Sequence, residues 1–279
     1  MSQPAITAHA ENFREFYESV GAKYPEEEIV YHSLRGVIRR QFVLSYLEKF
    51  HGMFLDLGCN RGAYIASYKN GRALGVDIAF SVLHAARQRL PEAYLVQGDA
   101  QNLSFLRSNS IDAILCSEVI EHVPHPQQIF FECFRVLKPR GHLLVTTPNY
   151  KKNRPTWIKV DEMQSYGVRG VVDDQYFHTA FRPQELKQMT ETAGFQVLEW
   201  GTFEKEVKYA TRIPLLIYYL LNLVNAVTFK NQRLDQFNKK MLDRGSRLIY
   251  TGCAALGLNN VLTRLVKEGV RSYILVTKA

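Results

Sequence analysis

One stretch constrains this chain more than any other: the run Phe54-Leu55-Asp56-Leu57-Gly58-Cys59-Asn60-Arg61-Gly62, in which apolar, β-prone residues give way abruptly to glycines. A short continuous apolar run reads as a strand buried on both faces, and such strands belong to parallel sheets covered by helices. Small residues are needed in the turn when a ligand approaches the backbone and uses N–H groups near a helix start. A glycine turn alone also suits an ordinary strand-to-helix connection. Asp77 favours the ligand, because it ends a second apolar run, Leu74-Gly75-Val76-Asp77-Ile78, about 20 residues on, where a carboxylate can accept hydrogen bonds from ribose hydroxyls. A further acid, Asp99 in Gln97-Gly98-Asp99-Ala100, follows a third run.

The same alternation continues along the chain. Strands are expected at Met53 to Cys59, Ala73 to Ile78, Tyr94 to Gly98, Ala113 to Cys116 and His142 to Thr146, with a sixth at Phe195 to Trp200 and a seventh at Ser272 to Lys278. Helices fit between them. Phe80 to Leu90 is rich in helix formers, Pro126 to Lys138 carries apolar residues at helical spacing before Pro139 and Gly141, and Pro183 opens a helix that Gly194 closes. The expected fold is α/β, a Rossmann-like, mostly parallel seven-strand sheet with a helical N-terminal cap and a helical insert before the last strand. Four segments follow: a cap over residues 1–50, a core over 51–203, an insert over 204–270 and a last strand over 271–279.

The ordered series DLGCNRG, GVDI, GDAQNLSF, IDAILCSEVIEHV, FRVLKPRGHLLVTTPN and FRPQELKQMTETAGF resembles the class I S-adenosylmethionine-dependent methyltransferases, in particular the ubiquinone- and menaquinone-biosynthesis-like group. The resemblance covers Phe54 to Phe203. It implies S-adenosyl-L-methionine as cofactor, with Asp56, Gly58, Asn60 and Gly62 bordering its methionine part, Asp77 and Ile78 its ribose, and Asp99 with Ala100 its adenine. Ser117 and Glu118 would face the cofactor or the substrate. Asp56 also admits a structural role in fixing the turn. Position 60 departs from the group, which often has glycine there; Asn tolerates positive φ best among the other residues, so the turn is expected to survive. A nicotinamide dinucleotide fits less well, since its site usually has glycine at that position and gives Glu118 to His122 no task.

Glu118-Val119-Ile120-Glu121-His122 follows the fourth strand, at the sheet edge where open α/β folds bind ligands. If the segment turns helically, Glu118, Glu121 and His122 stand at i, i+3 and i+4 and share a face. Two carboxylates and an imidazole could then hold a divalent cation, with His178 of Tyr176-Phe177-His178 as a fourth ligand. The pattern resembles methyltransferases with an ExxEH motif and a later histidine that hold Mg²⁺ or a related ion, among them quinone-precursor O-methyltransferases and small-RNA 2′-O-methyltransferases. Two other readings stay open: His122 as a metal-free general base with Glu118 beside it, or a structural and substrate-orienting group. His9, His32, His51, His84, His125 and His142 lack such companions and read as structural or surface residues.

Charge locates the remaining novelty. Residues 1–150 carry 15 basic and 15 acidic side chains and residues 151–279 carry 20 and 12, so the net +8 lies wholly in the second half. Within it, Ile213 to Phe229 is 17 residues without a charge, and Lys230 to Ala279 holds ten basic residues against three acidic. The apolar run is short of the roughly 20 residues of a membrane span. It suits a buried or homodimer helix, a greasy lid, or a helix lying on a membrane surface. The cations also permit RNA binding, but they are scattered among loops and helices and no RNA-binding module is evident. Four cysteines without metal or disulfide spacing, and a first segment without a basic start and apolar run, point to a reducing, cytoplasmic compartment with peripheral attachment to a membrane left open. The expected reaction is methyl transfer to an oxygen of a small apolar or lipid-linked acceptor. RNA 2′-O-methylation and a non-catalytic, methyltransferase-like scaffold are the alternatives.

Overall fold

The computed structural model describes residues 10–151, 154 and 156–279; His9 and the rest of the first nine residues fall outside that range. In chain order the elements are α1 (Ala10–Lys23), a π turn (Glu27–Tyr31), α2 (Leu34–Leu47), β1 (Gly52–Leu57), α3 (Ala63–Ser67), β2 (Gly71–Asp77), α4 (Phe80–Arg89), β3 (Tyr94–Gln97) and β4 (Ile111–Ser117). A 3₁₀ turn (Ile120–His122) precedes α5 (Pro126–Val136), β5 (Leu137–Pro148), β6 (Trp157–Lys159), α6 (Asp161–Gln164), β7 (Gln175–Phe177), α7 (Pro183–Thr192) and β8 (Gln196–Phe203). The chain ends with α8 (Lys205–Ala210), α9 (Arg212–Val227), α10 (Gln232–Ala255), α11 (Asn259–Arg264) and β9 (Arg271–Thr277).

These elements form two compact units. One comprises residues up to Glu26, Phe42–Gly201 and Ser272–Ala279; the other comprises Glu27–Gln41 and Thr202–Arg271.

The first unit is built on a seven-stranded, mostly parallel sheet in the order β3-β2-β1-β4-β5-β9-β8. Strand residues alternate between its faces. Leu55, Leu57, Ile114, Cys116, Leu143 and Val145 pack with Ile129, Phe130 and Cys133 of α5 and Leu186 of α7, whereas Phe54, Leu115 and Leu144 pack with Val43, Tyr46 and Leu47 of α2 and Tyr64 of α3. The sheet is therefore buried on both sides, which is why its strands read as unbroken apolar runs. Observed strand limits differ from expectation by a few residues; β5 runs from Leu137 rather than His142, because pairing with β4 resumes beyond a register shift between Ile111 and Ala113. Glu132 pins α5: its carboxylate accepts from Leu103 N at 2.7 Å and twice from the Arg135 guanidinium at 2.8 and 2.9 Å. Those Arg135 bonds hold the Glu132 carboxyl below its ordinary range.

The second unit is helical. Leu34 and Ile38 pack with Val207 and Ala210, and Leu34 N–H donates to Asp243. The N-terminal fifty residues are thus not one structural segment: α1 belongs to the sheet unit, while residues 27–41 belong with the insert.

Candidate functional site

The strand order puts β1 between β2 and β4, which is where chain direction around the sheet reverses and where open α/β folds bind ligands, beyond the strand carboxyl ends. Four of the expected positions converge there by topology: Gly58 after β1, Asp77 ending β2, Asp99 two residues past β3 and Ser117 ending β4.

The turn after β1 holds three residues in the left-handed region within five positions, with φ of 70° at Gly58, 48° at Asn60 and 76° at Gly62. Gly58 is required twice over, because a Cβ there would also stand 2.4 Å from Val119 Cγ2. Asn60 keeps the turn, as its tolerance of positive φ suggests, and its side chain does more: Nδ2 donates to Glu26 Oε2 at 2.7 Å. Its backbone N–H donates to Asp77 Oδ2 at 2.8 Å, while Asp77 Oδ1 accepts from Ala79 N at 3.0 Å. Asp77 therefore ties the glycine turn to the end of β2. Burial raises its carboxyl above the ordinary range, partly offset by these backbone donors.

Asp56 is buried at 1% exposure, and its Oδ2 has no hydrogen-bond partner among the described residues. Burial, and then the nearby Asp77, push its carboxyl well up. A buried acceptor facing a ligand turn without a donor fits the cationic ammonium of an amino-acid moiety, which would both bond it and favour its charged form. Further along the edge, Gln97 Nε2 donates to Ile78 O at 3.0 Å, Asp99 Oδ1 accepts from Gln101 N at 2.8 Å, and Ala100 is buried. Asp77 and Asp99 retain acceptor capacity for hydroxyl or amino donors.

The segment after β4 differs from the helical reading. Glu118 has φ of 58° and its N–H still bonds Thr146 O of β5 at 2.9 Å, so the strand ladder persists and only Ile120–His122 turns. Thr146 Oγ1 donates to Glu118 Oε1 at 3.1 Å and lies 2.9 Å from Ser117 Oγ. Glu118 consequently does not share a helix face with Glu121 and His122. What the fold brings together is Glu121, His122 and His178, each with a donor atom within 4.8 Å of the other two. Glu121 is buried; Thr147 Oγ1 donates to its Oε2 at 3.1 Å, and its backbone oxygen accepts from Thr179 N at 2.7 Å. That last bond brings the end of β7, and His178 with it, against the 3₁₀ turn.

Around this trio stand aromatic rings that the linear sequence gave no reason to single out. Tyr17 of α1 lies 5.6 Å from His122 ring to ring, Tyr176 lies 6.2 Å from His122, and Phe16 stacks on Tyr176 at 5.3 Å. The Tyr17 hydroxyl is buried with no partner among the described residues, and burial, then Tyr176 and Glu121, push its ionisation well up. Burial pushes Tyr176 up to about 12, with Glu121 adding to it. Both phenols stay neutral at physiological pH. The signal for Tyr17 is the apolar spacing Phe13, Phe16, Tyr17 and Val20 in α1, which marks a buried face without naming what it covers. An open cleft of about 580 Å³ on this unit lies between α1 and the starts of α4 and the β3 loop; it is lined by Glu18, Phe80 and Gln97 among others, but by none of Asp56, Glu121, His122 and His178.

A mostly parallel sheet in this strand order, with a glycine turn after β1 and an acid closing β2, is the Rossmann-like fold of the methyltransferase type. Residues 55–145 match the family described as "Methyltransferase domain". The ubiquinone biosynthesis O-methyltransferase of Coxiella burnetii is 30% identical over 152 residues, which are 52% of this chain and 64% of that protein. The enzyme of the same description from Proteus mirabilis is 27% identical over 183 residues, 61% of this chain and 73% of its own. The chain thus spans just under two thirds of the length of the Coxiella relative. The structure of Haemonchus contortus phosphoethanolamine N-methyltransferase 2 with S-adenosyl-L-methionine superposes with a TM-score of 0.56 at 17% identity, covering 95% of this chain and 60% of that one, and shares the fold. Residues 55–145 thus resemble the methyltransferase domain family, and the chain is distantly similar to the ubiquinone biosynthesis O-methyltransferases.

Proposed function

We propose that this protein transfers a methyl group from S-adenosylmethionine to an oxygen of a small apolar acceptor, and that Glu121, His122 and His178 hold a divalent cation beside the reacting hydroxyl. The cofactor residues would be Asp56, Gly58, Asn60 and Gly62 for the methionine part, Asp77 and Ile78 for the ribose, Asp99 and Ala100 for the adenine, and Ser117 near the strand edge. The unpartnered Asp56 oxygen supports the first of these assignments. S-adenosylmethionine bound there supplies a sulfonium-activated methyl, whose in-line displacement needs alignment and exclusion of water more than acid–base power.

The observation that carries the acceptor assignment is the Glu121, His122 and His178 trio flanked by Tyr17 and Tyr176, with Phe16 stacked on Tyr176. One carboxylate and two imidazoles suit a divalent ion with open positions, and such an ion lowers the pKa of a bound hydroxyl. The aromatic walls suit a planar apolar body, and the neutral Tyr17 hydroxyl offers it a hydrogen bond. Glu118, bonded to Thr146, positions the strand edge rather than the ion. An amine or carbon acceptor would need no such group, and the relation to quinone O-methyltransferases points the same way.

The test uses labelled S-adenosylmethionine with a lysate separated into lipid, small-molecule, RNA and protein fractions, with and without a chelator. Label in the lipid or small-molecule fraction, falling at least tenfold on chelation and in His178→Ala, is expected. Label in RNA or protein, or turnover indifferent to both perturbations, refutes the acceptor or the cation respectively. Absence of any transfer, with S-adenosylhomocysteine bound, would make the chain a scaffold.

A further inference from the structure

Within the second unit, α9 and α10 form an antiparallel hairpin whose sidedness is inverted. A helix on a water-soluble protein buries its apolar stripe and exposes its polar one. Here α9 turns its asparagines inward: Asn225 Nδ2 donates to Asp235 Oδ1 at 2.6 Å and to Asn231 O at 2.9 Å, and Asn238 Nδ2 donates to Asn222 Oδ1 at 2.7 Å. Asn225 and Asn238 are buried. The outward face carries Leu216, Leu220, Leu223 and Val227, spaced at i, i+4, i+7 and i+11, with exposures of 62%, 56%, 64% and 72%. On α10, Leu234, Phe237, Met241 and Leu248 make a second exposed stripe at i, i+3, i+7 and i+14. Burying Asn225 and Asn238 in a seam while leaving eight large apolar side chains outside is unfavourable in water. It is the favourable arrangement when the outer face meets a non-aqueous medium.

Charge identifies that medium. Arg233, Lys240, Arg244 and Arg247 recur on α10 at i, i+7, i+11 and i+14, and three of them immediately precede an exposed apolar residue, so the cations line one border of the apolar stripe. From Arg212 to Arg247 the hairpin holds seven Lys and Arg against two Asp. Both acids are engaged, Asp235 with Asn225 and Asp243 with Arg247 at 2.9 Å. A second copy of the chain would set this +5 surface against its like, whereas an anionic lipid surface complements it. The 16 residues of α9 are too short to cross a bilayer, and no described helix is long and apolar enough to do so. We propose that the α9–α10 hairpin lies flat on anionic membrane, its leucine stripes among the acyl chains and its arginine and lysine border at the headgroups. The inference is independent of which acceptor is methylated.

Co-sedimentation with vesicles tests it. Full-length protein is expected to bind phosphatidylcholine vesicles containing 30% phosphatidylglycerol, to bind pure phosphatidylcholine at least tenfold more weakly, and to lose affinity as salt rises. Leu220→Asp with Val227→Asp should reduce binding at least tenfold. Arg233→Gln, Lys240→Gln and Arg244→Gln should each reduce it roughly fivefold on the anionic vesicles alone. Circular dichroism and the unfolding midpoint check that each variant is folded; because these substitutions sit on exposed surface, they should leave both unchanged. Failure of the parent protein to sediment with anionic vesicles overturns the proposal. So does equal binding to both vesicle types, or a concentration-dependent dimer that Leu220→Asp dissolves while vesicle binding is unaffected.

Discussion

Asn60 carries a balance of two opposed effects that substitution can separate. Its φ of 48° lies where an L-residue other than Asn or Asp is strained by roughly 1 kcal/mol, which favours glycine. Its Nδ2 donates to the Glu26 carboxylate at 2.7 Å, which favours Asn. A hydrogen bond to a charged acceptor contributes about 1.5 kcal/mol at the lower end of its range, the appropriate end for a half-exposed pair. In Asn60→Gly the bond is lost, while relief of the backbone is offset by the greater freedom of glycine in the unfolded chain, so a net loss of about 1.5 kcal/mol is expected. In Asn60→Ala the same bond is lost and the left-handed strain is added, for about 2.5 kcal/mol. At roughly 2–4 °C per kcal/mol for a unit of this size, the midpoints should fall by about 3–6 °C and 5–10 °C. Thermal scans followed by circular dichroism, with urea titration as a second measure, give the order Asn, Gly, Ala. If Asn60→Gly equals the parent, the Glu26 bond contributes nothing; if Ala equals Gly, the conformational argument fails.

Two further outcomes follow from buried or bridged carboxylates. Glu132→Gln should cost about 1.5–3 kcal/mol at pH 7, because Leu103 N and Arg135 lose their charged acceptor; since bonding to Arg135 depresses the Glu132 pKa, its contribution is full above the unfolded value near 4.3 and vanishes as pH falls through the lower folded value, so urea midpoints of parent and variant should converge below about pH 4. Asp56→Asn should do the reverse: burial and Asp77 raise the Asp56 pKa, so ionising it costs the ligand-free fold stability as pH rises above about 4, and the variant should be the more stable at pH 7 while binding S-adenosylhomocysteine at least tenfold more weakly by calorimetry. A variant of unchanged affinity would remove Asp56 from the cofactor site.

The sheet was legible in the linear sequence because its strands are covered on both faces and so appear as unbroken apolar runs, each closed by a turn residue with a clear conformational reason, as at Gly58 and Asn60. Strand ends were less so: ladder bonds such as Glu118 N to Thr146 O depend on a partner strand, and it is this bond that stops Glu118 from joining the turn of Glu121 and His122. His178 was singled out only through the Glu118, Glu121 and His122 pattern and its resemblance to methyltransferases with a later histidine, and its nearness to Glu121 rests on a backbone bond from Thr179 that no local pattern encodes. Tyr17 and Tyr176 were missed because an aromatic on an apolar face reads as core whatever it covers. The apolar run of α9 was visible, but not its sidedness, which the asparagine bonds to α10 decide.

The composition of the second unit from two separated stretches sets a timetable for synthesis. Residues 27–41 leave the ribosome about 160 residues ahead of the helices that cover Leu34 and Ile38. At translation rates of about 5–20 residues per second they wait roughly 8–30 s without their partners. During that interval the exposed flank of α2 is a target for chaperones, and slowing translation downstream of residue 41 should lengthen its sensitivity to protease before it affects the yield of finished protein.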